Sequence, residues 1–246
     1  MTTLLWMTVP YVALTSFVIG HVWRYRHDQF GWTTRSSQLY ESRLLQLGSP
    51  LFHFGLLAVL GGHVLGIVIP ASWTAALGIS EHAYHLLSVS FGTLTGLATV
   101  AGLAILLYRR VTVPAVRKAT TTGDKVMYLL LVGAIGTGML NTVGSNLIGG
   151  GYDYRATVSP WFRGLFTLSP QPDLMVGVPI GFQLHNLVVL VLLAIWPYTR
   201  LVHVFSAPLG YLIRPYVVYR SREAQPTGTR RYARAWEQPA PTTLRR

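Results

Sequence analysis

Apolar residues are concentrated in five long stretches of the chain, separated by shorter polar segments. About 20 helical residues, each rising roughly 1.5 Å, are needed to cross the hydrocarbon core of a bilayer, and each stretch is close to that length or longer. None shows the apolar–polar alternation of a membrane β-strand, which excludes a β-barrel and leaves helices. The stretches lie near residues 4–22, 51–69, 83–108, 126–148 and 178–205. We predict an all-α membrane protein, in which residues 1–220 form one bundle of five transmembrane helices.

The two ends of the chain differ in character. Residues 221–246 are rich in Arg, Pro, Thr and Ala without helical or strand periodicity, which predicts a disordered basic tail in the cytoplasm. At the other end no charged residue precedes Arg24, whereas a secretory signal begins with a basic segment. We therefore expect the first apolar stretch to be retained as a span.

Basic residues indicate the orientation of the bundle, because Lys and Arg accumulate in cytoplasmic loops beside membrane spans. The segments after the first, third and fifth stretches hold most of them: Arg24, Arg26, Arg35, Arg43, Arg109, Arg110, Arg117, Lys118, Lys125, Arg200, Arg214, Arg220 and Arg222. The loops on the opposite side hold only Arg155 and Arg163. We predict that the N-terminus lies outside and the C-terminus in the cytoplasm, with Trp73 and Trp161 anchoring the outer interface as aromatic belts do.

Charge and cysteine content narrow the function classes further. A formal net charge of +12 would suggest nucleic-acid binding in a soluble protein, but here the basic residues border spans, where they face anionic lipid. We therefore expect membrane lipid as a partner and no nucleic acid. The chain has no cysteine, which excludes disulfides, thiolate-held iron–sulfur clusters and the covalent attachment of c-type haem.

Four histidines lie within or at the ends of two apolar stretches, His53 and His63 on the second and His185 and His203 on the fifth. An ionisable group at membrane depth is unfavourable unless it is paired or coordinated. The two spans run in opposite directions, so His53 and His203 fall at the cytoplasmic depth and His63 and His185 at the outer depth. Two imidazoles from facing helices give a six-coordinate haem iron suited to electron transfer. We predict two non-covalent b-type haems, one for each pair.

The spacing of the histidines is uneven. Ten residues separate those of the second span, about 15 Å of helical rise, and eighteen separate those of the fifth, about 27 Å. We expect tilted haems and a kink at Pro197 to absorb the difference. Glycines 55, 61, 62 and 66 are expected either to admit the haems or to let helices pack closely.

Two other interpretations of the histidines remain. They could simply form hydrogen bonds within the bundle, or they could serve a transporter of metal ions or protons. A transporter should carry acidic residues at membrane depth, and the five stretches hold none beyond Glu81 and Asp124 at their margins. The pattern therefore favours haem.

The histidines also lie in specific motifs, as do two loops: Leu51-Phe52-His53, Gly62-His63-Val64-Leu65-Gly66, Leu184-His185, Arg200-Leu201-Val202-His203, Ser36-Ser37-Gln38, and Arg109-Arg110 with Pro114, Arg117 and Thr120-Thr121-Thr122-Gly123. Over most of its length the chain resembles the gamma subunit of membrane-bound respiratory nitrate reductase, a di-haem cytochrome b. The resemblance implies a quinol-oxidising subunit in a prokaryotic plasma membrane, bound on the cytoplasmic side to an iron–sulfur (beta) subunit and a molybdenum catalytic (alpha) subunit that reduces nitrate. A cytochrome b of a sulfur or heterodisulfide complex is the near alternative.

The resemblance places the quinol near the outer haem, beside Gly62, His63 and Gly66. Well-known members of the family have a lysine at the start of the third span, where this chain reads Glu81-His82-Ala83-Tyr84-His85. We expect His82 or His85 to replace the lysine, donating a hydrogen bond to the quinol oxygen and taking its proton. The alternative is that these polar residues only end a helix at the interface.

Three arginines near the cytoplasmic depth have two possible roles. Arg109, Arg110 and Arg200 could neutralise the propionates of the inner haem, because a guanidinium matches the geometry of a carboxylate. They could equally be ordinary charges on the cytoplasmic side of the bundle.

Overall fold

The computed structural model describes residues 1–33, 36–206 and 213. The predicted tail at 221–246 lies outside the described residues, as do Arg35, Arg214, Arg220 and Arg222. In the described part there is no strand, and the α-helices are α1 (Val9–His27), α2 (Arg43–His63), α3 (Ala71–Ala76), α4 (Glu81–Thr112), α5 (Pro114–Lys118), α6 (Thr122–Met139), α7 (Val158–Phe166) and α8 (Ile180–Ile195). All of them belong to one compact unit, Met1–Ala207.

The predicted number of membrane spans is confirmed. Within the described residues, the helical segments long and apolar enough to cross a bilayer are Leu4–His27, Arg43–Val68, Glu81–Thr112, Thr122–Ile148 and Ile180–Tyr198. Three of them include π-helical turns, at Leu4–Thr8, Val64–Val68 and Leu140–Ile148. The second of these turns begins directly after His63, and π-helical turns often occur at functional sites.

Helices α2 and α4 form the closest pair in the bundle. A Cβ atom added to Gly55 would lie 2.7 Å from Thr99 Oγ1 and 2.9 Å from Thr99 N, and one added to Gly102 would overlap the backbone of Phe52. Small residues at both contacts let the two backbones approach. These contacts hold the part of α2 next to His53 against α4.

Helix α8 packs instead on α1 and α6, and along its described length it makes few backbone contacts with α2. On the α1 side, Ser16 Oγ donates to the carbonyl of Ala194 at 2.8 Å. Helix α8 therefore lies less close to α2 than α4 does, although Phe52 of α2 and Leu192 of α8 share one buried apolar cluster. We call the two ends of the bundle the His53 end and the His63 end, after the histidine of α2 nearest to each.

The segment between residues 149 and 177 folds over the His63 end. Trp161 on α7 is 1% exposed, and its Nε1 donates to the carbonyl of Trp6 at 2.7 Å. Around it lie Val158, Leu165, Met175, Val178 and Phe182. The prediction that Trp161 anchors an interface is therefore wrong, because α7 turns it inward, whereas Trp73 is 64% exposed.

The fifth span differs from the expected continuous stretch of 178–205. Helix α8 ends at Ile195, and two 3₁₀ segments follow, Trp196–Tyr198 and Arg200–Ser206. Between them Thr199 is extended, with φ −114° and ψ 178°. Pro197 explains the break, because proline has no N–H and its ring clashes with the carbonyl four residues earlier. His203 therefore lies on a 3₁₀ segment beyond the break.

Candidate functional site

The structure brings the four intramembrane histidines together in two pairs. The ring centres of His53 and His203 lie 6.1 Å apart with an interplanar angle of 71°. Those of His63 and His185 lie 6.0 Å apart at 30°. These are the pairs that opposite span directions predict. Both pairs form although His53 and His63 are ten residues apart and His185 and His203 are eighteen apart. The break at Pro197 accounts for this difference, because the residues between His185 and His203 are not one helix.

Each histidine uses Nδ1 for a hydrogen bond to a backbone carbonyl. The acceptors are Ser49 O for His53 (2.7 Å), Val59 O for His63 (2.8 Å), Ala134 O for His185 (3.0 Å) and Arg200 O for His203 (2.7 Å). A carbonyl oxygen only accepts, so Nδ1 carries the proton and Nε2 keeps its lone pair. This is the arrangement found in metal-ligating histidines, whose second ring nitrogen is fixed by a hydrogen bond.

The separation within each pair fits an iron atom held by both rings. A metal–imidazole bond is about 2 Å long and the ring centre lies about 1 Å behind the bonding nitrogen, so two imidazoles on one metal have centres roughly 6 Å apart. Both observed separations, 6.1 Å and 6.0 Å, match that value. The residues present therefore fit bis-histidine haem ligation.

His185 is held from the side by α6. Thr137 Oγ1 lies 3.1 Å from its Nδ1, and a Cβ atom added to Gly138 would lie 3.1 Å from its Cε1. Together with the Ala134 carbonyl, these contacts fix the ring through a neighbouring helix. His203 differs, because in the part of the chain that the structure describes its Nδ1 is bonded to its own segment, at the carbonyl of Arg200.

The glycines of the second span divide into two groups. Gly55 packs against Thr99 as described, and a Cβ atom added to Gly66 would lie 2.6 Å from the hydroxyl of Tyr154 and 3.0 Å from that of Tyr84. At Gly61 and Gly62 an added Cβ atom would meet nothing within 4 Å. Of these four glycines, only Gly61 and Gly62 have the open space that a haem beside His63 would require.

The arginines considered for haem propionates have partners within the chain. Arg109 donates to Ser37 Oγ, to the carbonyls of Ser37 and Glu41, and to Glu41 Oε2 at 2.6 Å. Burial opposes ionisation of Glu41, but hydrogen bonds from the Leu44 backbone and from Arg109 outweigh it and hold the pKa of its carboxyl below the usual value. Arg109 thus fastens the loop before α2 to the end of α4.

Arg200 and Arg110 are also engaged. Arg200 binds the carboxylate of Asp124 through two hydrogen bonds, each 2.8 Å long. Arg110 donates to Thr120 Oγ1 at 2.9 Å, and its guanidinium carbon lies 4.9 Å from the centre of the Tyr128 ring. These contacts favour a structural role for all three arginines.

A polar cluster that the sequence analysis missed lies at the His63 end. The guanidinium of Arg155 stacks over the Tyr84 ring at 3.9 Å, donates to Thr74 Oγ1 at 2.9 Å and lies 3.4 Å from Glu81 Oε2. The hydroxyls of Tyr84 and Tyr154 are 3.3 Å apart. Burial, and then the bond with Tyr84, raise the pKa of Tyr154 above its usual range, so its hydroxyl stays protonated. The rarity of basic residues in the loops predicted to lie outside was the signal that could have singled out Arg155.

The two candidate quinol-binding histidines differ in their surroundings. His82 is exposed. His85 is half-buried, and its Nε2 is buried without a hydrogen-bond partner among the described residues. The backbone of Gly151, with φ +92°, covers it so closely that an added Cβ atom would lie 3.0 Å from Nε2. Because a buried nitrogen without a partner is unfavourable unless a ligand satisfies it, His85 is the stronger candidate.

Comparisons with known proteins agree on one family. The family model described as the nitrate reductase gamma subunit matches residues 2–222. The nitrate reductase gamma chain of Bacillus subtilis is 49% identical over 219 residues, covering 89% of this chain and 98% of the relative. The respiratory nitrate reductase 2 gamma chain of Escherichia coli is 33% identical over 214 residues, covering 87% and 94%.

A third relative is much longer than this chain. The nitrate reductase-like protein NarX of Mycobacterium tuberculosis is 57% identical over 221 residues, which cover 89% of this chain but 34% of the relative. The chain thus spans about a third of that protein.

Proposed function

The chain belongs to the nitrate reductase gamma subunit family, and from this membership we propose that it is the quinol-oxidising cytochrome b subunit of a respiratory nitrate reductase in a prokaryotic plasma membrane. It transfers electrons from quinol at the outer side to an iron–sulfur subunit in the cytoplasm, and nitrate is reduced on a molybdenum subunit. This chain never contacts nitrate.

One observation carries the proposal: two histidine pairs whose ring centres lie 6.1 and 6.0 Å apart at opposite ends of one bundle. Each ring has Nδ1 bonded to a carbonyl and Nε2 free for iron. When bound, haem b supplies reversible one-electron transfer. His53 and His203 would hold the inner haem, and His63 and His185 the outer one.

Charge distribution supports the proposed orientation. Arg24, Arg109 and Arg200 all lie at the His53 end, next to the segments that end or follow spans one, three and five. Lys and Arg accumulate on the cytoplasmic side, which supports assigning this end to the cytoplasm. The quinol then binds at the His63 end, beside Gly62, His63 and Gly66.

At that end His85 is proposed to receive the quinol proton. Its buried Nε2 without a partner suits a hydrogen bond to the quinol oxygen, and a neutral imidazole is a general base near neutral pH. Proton release outside and electron delivery inside separate charge, and moving one charge against 100 mV stores about 2.3 kcal/mol.

A reduced-minus-oxidised optical spectrum of the purified chain, with haem and iron quantified, tests the proposal. We expect two b-type haems per chain, one in His63→Gln or His53→Gln, and two in the control His27→Gln, since His27 is exposed on α1. If the chain held no haem and moved metal ions across vesicle membranes, the proposal would be refuted in favour of a transporter. A chain with both haems that failed to accept electrons from quinol would refute the quinol-oxidising part alone.

A further inference from the structure

The break in the fifth span leaves backbone carbonyls without their helical partners. In a continuous helix the carbonyl of Pro197 would accept from the N–H of Leu201. That N–H instead donates to Thr199 Oγ1 at 3.2 Å. A buried carbonyl without a donor is unfavourable, so the break requires donors from elsewhere in the bundle.

Arg24, near the end of α1, provides them. Its Nη1 donates to the carbonyls of Pro197 at 2.5 Å and Thr199 at 3.0 Å, and its Nη2 donates to the carbonyl of Gly31 at 2.6 Å. One helical turn earlier, an added Cβ atom on Gly20 would lie 2.8 Å from the Pro197 ring. Helix α1 therefore presents to the break a close contact at Gly20 and a clamp on two carbonyls, and the same guanidinium ties the break to Gly31 in the loop after α1.

The charge of Arg24 is directed mainly at this backbone. The residue is 5% exposed, whereas its acidic neighbour Asp28 has a side chain 47% exposed and lies 3.4 Å from Nε. A buried charge must be well hydrogen-bonded to be tolerated. The planar fork of donors in a guanidinium reaches several carbonyls at once, which a lysine ammonium does less well.

The clamp lies between α8 and the 3₁₀ segment that carries His203. Unlike His185, which α6 holds through Thr137 and the Ala134 carbonyl, His203 has its Nδ1 bonded within its own segment. The position of its ring therefore depends on how that segment is anchored. Arg200 on Asp124 is one anchor, and Arg24 on the break is a second.

We propose that Arg24 is a positioning residue for the inner haem, fixing the break so that His203 faces His53. The inference rests on the proposed function, since it assumes that this pair ligates haem. It predicts that loss of the clamp affects one of the two haem sites and spares the other, whose ligands lie on α2 and α8.

The test uses Arg24→Gln and Arg24→Lys in the full chain, purified from membranes, with haem content and midpoint potentials measured. Arg24→Gln is expected to retain one haem per chain, or two with one midpoint potential shifted, and Arg24→Lys to restore part of the loss. Arg26→Gln is the control, because Arg26 is exposed on the same helix.

Double variants show which of the two haem sites is affected, without the need to assign each spectral band to one haem. In a His63→Gln background, which keeps only the inner site, Arg24→Gln should lower the remaining haem content or shift its potential. In a His53→Gln background, which keeps only the outer site, it should change neither.

Three results would overturn the inference: unchanged haem content and potentials in Arg24→Gln, an effect of equal size in the two backgrounds, or loss of both haems from Arg24→Gln and Arg24→Lys alike. A parent chain without two haems would instead refute the proposed function, so the two failures are distinguishable.

Discussion

Arg200 and Asp124 are joined by two parallel hydrogen bonds, Nε to Oδ1 and Nη2 to Oδ2, each 2.8 Å long. Asp124 also caps the start of α6, because its Oδ2 accepts from the N–H of Thr121 at 3.0 Å while Thr121 Oγ1 accepts from the N–H of Asp124. One carboxylate thus caps α6 and anchors the segment that carries His203.

Asp124→Asn should therefore lower the stability of the chain markedly. The side chains of Asp124 and Arg200 are only 4% and 14% exposed, and removing one partner of a buried ion pair costs roughly 3–5 kcal/mol. Thermal unfolding of the detergent-solubilised chain measures the effect. Asp173→Asn, at an exposed position, is the control, and equal unfolding temperatures for the two variants would contradict this role of Asp124.

Gly102→Ala should disturb the closest helix contact in the bundle. The added methyl group would overlap the backbone of Phe52, next to His53, and overpacking of this kind typically costs about 1–3 kcal/mol. Gly136→Ala is a matched control on α6, since its added Cβ atom meets nothing within 4 Å. We expect a lower unfolding temperature for Gly102→Ala alone, and similar values for both variants would argue against the contact.

His85→Ala should slow quinol oxidation while haem content stays normal. Loss of a general base typically lowers a rate about 10²- to 10⁴-fold, and the effect should fall on kcat with a quinol analogue as donor. His82→Ala should remain near the parent rate, because His82 is exposed. Normal rates for both variants would eliminate these histidines from the quinol site.

Glu41→Gln should change the pH dependence of stability. Because the pKa of Glu41 is lowered in the folded chain from 4.5, its ionised form stabilises the fold above that pH, and the stabilisation is lost as the pH falls through the folded-state pKa. The difference in unfolding temperature between the parent and Glu41→Gln should be largest at neutral pH and should become smaller as the pH is lowered. A difference that stayed constant over this range would show that the charge of Glu41 is not involved.

Much of this architecture could be predicted from the sequence, because membrane spans leave a strong hydropathy signal. The same signal gave the depth of each histidine, and antiparallel spans then determined that His53 faces His203 and His63 faces His185. These inferences required only local pattern and the direction of the chain.

Features that depend on tertiary contacts could not be predicted in this way. Pro197 indicated a kink, but the end of α8 and the extended Thr199 involve donors from Arg24, 173 residues away from Pro197. Trp161 is of the residue type that anchors membrane interfaces, yet α7 buries it against Trp6. In the sequence Arg155 is similarly only a charged loop residue, and its contacts with Tyr84 and Thr74 form only in the folded chain.

The close packing of α2 on α4 has a consequence for how the two proposed haem sites could diverge during evolution. One helix supplies a histidine to each proposed site, so changes there alter both sites together. The opposing halves come from separately supported pieces of chain, one against α6 and one beyond the break. Substitutions around either piece can therefore adjust one proposed haem site while the other keeps its geometry.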